Sequence, residues 1–170
     1  MRDHFVMFAH YNTWANGRLF DAVEKLLQED YHRDCGAFFK SLHGTLNHLL
    51  VADQIWMHRF TKEGACPNAL DEILHEDFAG LQRAGIEMDA RIEAFIESLS
   101  DEDLAQDFTY TPVTTPDPIT LKRSVALAHL FNHQTHHRGQ CHSILHELTG
   151  DAPALDLIYF QSDYFRSLNA

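Results

Sequence analysis

Four long stretches of this chain return their apolar residues to one face of a helix, and that periodicity limits the folds open to it. At about 100° of rotation per residue, the first stretch runs roughly from His4 to Gln28. It sets Phe8, Tyr11, Ala15, Leu19, Ala22 and Leu26 on one stripe. The second, Phe38 to Phe60, aligns Leu42, Leu46, Leu49, Trp56 and Phe60. The third, Phe78 to Leu99, repeats Phe78, Leu81, Met88, Ile92, Phe95 and Leu99. The fourth runs from Thr120, a residue type that caps helix starts, to Leu148. Gly150 stands just beyond, where a left-handed residue is wanted. Eight glycines and five prolines in 170 residues leave room for helices of this length. Four helices that each have a stripe to bury predict an all-α four-helix bundle, in one domain over residues 1–170.

The breaks are equally legible. Lys62 to Leu70 contains Gly64 and Pro67 and is expected to be a crossover. Asp107 to Pro118, DFTYTPVTTPDP, cannot be helical throughout; Phe108, Tyr110 and Val113 predict a short extended piece or hairpin before the fourth helix. Leu155 to Leu168 predicts a short C-terminal helix.

Charge and cysteine usage narrow the functional classes. A net charge of −12 disfavours nucleic acid and anionic membrane as partners, since both are gripped by basic patches. No apolar run approaches the ~18–20 residues of a membrane span. The N-terminal stretch interrupts its apolar residues with acid and histidine, so it reads as a first helix and not a signal peptide. Cys35, Cys66 and Cys141 form no CxxC pair or disulfide framework, which points to the cytoplasm.

The segment HLFNHQTHHRGQCHSILHEL, residues 129–148, carries six of the thirteen histidines. On a helical wheel Ala126, Leu130, Ile144 and Leu148 define its buried stripe, and His133 and His137 fall inside it, one turn apart. Two imidazoles facing a core need partners for their nitrogens, and one divalent ion can accept both. The spacing resembles HExxH, but the sequence is HQTHH, without that motif's glutamate. His129 and His136 lie on the flank of the stripe; His142 and His146 lie away from it. A third ligand must come from another helix. His48, near Ala52 and Ile55 on the second, is the best candidate, since His43 and His58 fall with Lys40, Asn47 and Gln54 on the polar side. Asp53 sits in the apolar arc, where it could hold a histidine N–H, a water or an arginine such as Arg138. Cys141 follows His137 by one turn. It is expected to be a buried structural thiol, because one ion cannot span His133 to Cys141, ~12 Å along a helix. A di-iron carboxylate bundle needs two ExxH motifs. The single one, Glu72 to His75, falls in an expected loop or helix start.

Four segments in order, YNTWANGRL (11–19), TLNHLLVADQIW (45–56), HLFNHQTHHRGQCH (129–142) and DLIYF (156–160), resemble the DinB/YfiT-like family of metal-dependent proteins. The resemblance implies a dimeric four-helix bundle and one divalent ion, usually nickel or zinc, held by the equivalents of His48, His133 and His137. It also implies chemistry on substrates carried by low-molecular-weight thiols. Three histidines leave a coordination position open, which suits a thiol transferase acting on a small-molecule electrophile, with Asp53 or Gln140 orienting ligand or substrate. The other expectation is a non-catalytic metal- or small-ligand-binding stress-response protein, its site closed by a fourth ligand such as His129 or Asp53.

Overall fold

The computed structural model describes residues 1–168, with side chains through Asp163. In chain order the elements are α1 (Arg2–Val23), α2 (Gln28–His32), α3 (Leu42–Thr61), α4 (Phe78–Ser98), α5 (Asp101–Ala105), β1 (Asp107–Tyr110), β2 (Ile119–Lys122), α6 (Arg123–Thr149) and α7 (Leu157–Leu168). The four long helices α1, α3, α4 and α6 form the expected bundle. Both α1 and α3 pack against α4 and α6, so α1 and α3 face each other diagonally.

Helix boundaries depart from the periodicity where local bonding wins. The first helix stops at Val23 and not at Gln28; a turn leads to Leu27, which is extended, and α2 starts afresh. The second begins at Leu42 and not at Phe38. Lys40 is left-handed at φ 69°, and the Ser41 hydroxyl accepts from the Gly44 N–H, capping α3. Thr120 caps nothing. It lies in β2 opposite Thr109, in an antiparallel hairpin running from Asp107 opposite Lys122 to Tyr110 opposite Ile119. Ladder pairing claims those backbone groups, so α6 starts only at Arg123. Gly150 does end α6, at φ 76°, its N–H donating to the His146 carbonyl.

The core is divided. Of the two larger apolar clusters, one gathers Phe5, Trp56, Met57, Ile92, Leu127 and Phe131, and the second gathers Leu19, Phe20, Leu42, Leu81, Cys141 and Leu145; a smaller third joins Tyr11, Ala15 and Phe160. Between the two larger clusters along the helices lies a layer of buried polar residues, Asn12, Asn16, Asp53, Asp89, Gln134 and Arg138, each at most 7% exposed. Arg138 donates to the Asn12 and Asn16 carbonyl oxygens, the latter at 3.1 Å. The two amide groups pass the pattern on, each donating to Asp89 Oδ1 at 2.9 Å. Asp53 makes no ion pair with Arg138 among the described residues; it accepts from the Gln134 side-chain amide.

Burial pushes the Asp53 carboxyl up to about 8, reinforced by the nearby Asp89, while Gln134 and Arg138 oppose the shift. A carboxyl raised this far favours its protonated form at pH 7; Gln134 Oε1 is a buried acceptor with no partner among the described residues. The folded value of Asp53 lies above its unfolded one. The associated stability is full below about pH 4 and is lost as pH rises toward 8. Asp53→Asn is expected to match wild type to within about 1 kcal/mol at pH 4 and to exceed it by several kcal/mol, roughly 5 at most, at pH 9. Urea denaturation at both pH values measures this, and a gap that does not change with pH would contradict it.

Candidate metal centre

Because α3 and α6 are neighbours, His48 comes level with His133 and His137. Its Nε2 lies 3.2 Å from Nε2 of His133 and 3.2 Å from Nε2 of His137. The far sides of two rings fix their protonation. His48 Nδ1 lies 2.7 Å from the Leu70 carbonyl and must donate to it. His137 Nδ1 likewise donates to Gln140 Oε1 at 2.7 Å. In the neutral rings both Nε2 atoms then carry lone pairs, and two lone pairs at 3.2 Å cannot bond to each other. A cation between them removes the conflict. Tetrahedral donors at ~2.0–2.1 Å from one ion stand roughly 3.4 Å apart, close to the spacing seen. His133 Nδ1 is buried and has no hydrogen-bond partner among the described residues.

Electrostatics keep these donors available. Burial, then the neighbouring His137 and His48, push His133 down to about 3. Burial brings His137 down to about 4, although Gln140 works the other way. Burial also lowers His48, partly offset by the Leu70 carbonyl. All three rings are neutral at pH 7, as metal ligation requires. The group could hold a metal ion.

A family comparison gives the arrangement its context. The model of the DinB family matches residues 1–163. The chain belongs to the DinB family. It is 26% identical over 155 residues to the Bacillus subtilis (strain 168) protein named Protein DinB, covering 86% of this chain and 87% of that protein. The matched region holds every long helix, the hairpin and all three converging histidines. No described helix is long and apolar enough to cross a membrane.

Around this DinB-family centre, several residues sit differently from the wheel's expectation. His133 is half-buried at the edge of the stripe; the centre at that level belongs to Gln134 and Arg138. His43 and Asn47 are buried, not on a polar face. The crossover covers them: Asn47 Oδ1 accepts from the N–H groups of Leu74 and His75 at 2.9 and 3.0 Å, and the His43 ring meets the His75 carbonyl. Asn47 thus pins the same loop whose Leu70 carbonyl orients His48. Phe39, placed by sequence inside a helix, comes instead from the turn before α3. It stacks on His48 at 3.8 Å between centroids and meets His137 edge-on. His58 is turned to the Gly64 carbonyl. His129 and His136 are exposed beside the group, His146 is exposed and His142 half-buried, all outside the cluster. Cys141 is fully buried, its thiol pushed up to about 12 by burial, as a structural thiol should be.

Proposed function

We propose that this chain is a divalent-metal-dependent enzyme in which His48, His133 and His137 bind one nickel or zinc ion, and that it transfers a low-molecular-weight thiol to a small-molecule electrophile. The observation that carries the reading is the convergence of the three Nε2 atoms, two of them fixed as lone-pair donors by Leu70 and Gln140. Imidazole donors suit both metals. An ion there supplies a Lewis acid that makes a coordinated thiol or water more acidic near neutral pH.

The chain's own residues do the positioning. The Leu70 carbonyl and Gln140 hold two rings in one tautomer and orientation, and Phe39 covers one side of the group. A cleft of about 220 Å³ meets His48 and His133 from another direction. Neither residue suggested as a fourth ligand joins the described group: Asp53 is turned to Gln134, and the His129 ring is 5.7 Å from that of His133. An open position beside a cleft favours catalysis over a closed structural site.

Protein purified without chelator or nickel resin should contain one divalent ion per chain by elemental analysis. It should also accelerate conjugation of a small thiol to chlorodinitrobenzene, and His133→Ala should abolish both. Stoichiometric metal with no conjugation across a panel of thiols would favour the non-catalytic stress-response reading; protein without metal would remove both. We further infer a homodimer. The support is the apolar groove between α1 and α6, lined by Phe5, Phe8 and Phe131, which a second copy could cover. Light scattering measures the assembly state. The three free cysteines suit a cytoplasmic location.

A further inference from the structure

The cleft beside the histidines has a charged far end. Along it, ring centroids step 5.7 Å from His133 to His129 and 5.2 Å from His129 to Trp56. The Arg59 guanidinium then lies 4.7 Å from the Trp56 ring and 4.7 Å from that of Tyr110. His48 and His133 line the near end of the same cavity. Arg59 folds back toward the start of α3, as long helical side chains do, so its charged head approaches the cavity and not the bulk solvent. One of its nitrogens donates to the Thr111 carbonyl at 3.1 Å, and no carboxylate among the described residues lies within ion-pair reach.

A half-buried guanidinium held between two aromatic faces, with no anion against it, keeps donors free for a planar anionic group. Acids outnumber Lys and Arg by 25 to 13 in this chain, so an unpaired cation on a cavity wall does not follow from a shortage of carboxylates. The cavity is smaller than the ~300–1,000 Å³ of drug-sized ligand sites, and its remaining wall is largely apolar, including Ala52, Ile55 and Val113. One cation inside a chain of net charge −12 suits a single negative charge better than a polyanion.

We propose that this cleft receives a small molecule with a terminal carboxylate, which Arg59 binds while the opposite end of the molecule reaches the three-histidine centre. The assignment rests on the metal-centre reading for that opposite end. Trp56 and Tyr110 hold the guanidinium in place and give the connecting chain an aromatic wall. Arg59 acts as a specificity residue: it selects which molecules dock and leaves the histidines unaffected.

Calorimetric titration of the full chain with mercaptohexanoate and with mercaptohexanol tests this, in zinc-loaded and in chelator-treated protein. Wild type should prefer the carboxylate at least tenfold. Arg59→Gln should erase that preference while binding the alcohol as wild type does, and Arg59→Lys should keep part of it. Circular dichroism and melting temperature verify that each variant is folded. A merely structural arginine would affect both ligands alike. Equal affinities for the two ligands in both forms of wild type, or a preference that survives Arg59→Gln, would overturn the subsite. Zinc dependence reports separately on the metal centre: two ligands that bind more tightly with zinc but without discrimination would leave that reading standing and end this one.

Discussion

Replacing His137 by Ala is expected to lower divalent-ion affinity by more than ~100-fold, because loss of an outer partner of a ligand alone costs ~10–100-fold. The same change should leave the metal-free protein as stable as wild type or more so, since it removes one of two lone pairs set 3.2 Å apart. Chelator competition gives the affinity, and melting temperature with and without zinc gives the stability. Zinc should raise the midpoint of wild type and not that of the variant. His142→Ala and His146→Ala are the controls, because neither ring belongs to the converging group, and both should keep wild-type affinity. A His137→Ala protein that holds zinc like wild type would sink the metal assignment.

Arg138→Ala should produce the largest loss of stability, about 3–5 kcal/mol, the range for removing one member of a buried charged network. Arg138 is 2% exposed, and its guanidinium holds the carbonyl groups of Asn12 and Asn16, whose amides in turn hold Asp89. Without it the two carbonyls lose their donor, and Asp89, already pushed up to about 6 by burial, loses its nearby positive charge. A fall in melting temperature on the order of 10 °C follows for a chain of this size. Arg33→Ala breaks a surface pair between exposed Arg33 and half-buried Asp30 and should cost under about 1 kcal/mol. Equal losses from the two substitutions would mean that the buried layer is not held by Arg138.

The bundle was legible because apolar periodicity survives averaging over twenty residues, and Gly150 marked its helix end by backbone conformation alone. The start of α6 was misplaced because Thr120 suits a cap and a strand equally; its pairing with Thr109 is a non-local fact. The juxtaposition of His48, His133 and His137 was foreseen from a wheel on α6 and a resemblance. The reason for their orientation was not. The Leu70 carbonyl belongs to the backbone of a loop, and no residue type announces it. Phe39 is hidden because apolar periodicity carries past the start of α3 at Leu42. The polar layer left a faint trace, Asn12 and Asn16 one turn apart beside the apolar stripe of Tyr11 and Ala15, but its partners Asp89 and Arg138 lie 77 and 126 positions from Asn12.

The polar layer also governs how the helices slide past one another. A core of leucines alone tolerates a shift of one helical turn, ~5.4 Å, since one apolar contact replaces another. Here such a shift would strand Arg138, Asp53 and Asp89 without their partners on other helices, so a single alignment is far below its competitors. That alignment places α3 and α6 with His48 level with His133 and His137. The polar layer, and not an ion, then sets the level of the three histidines, so under the proposed reading ion binding would not be spent on folding the chain. Metal loss and reloading would then proceed on an intact scaffold, in contrast to small zinc modules that unfold when their ion leaves.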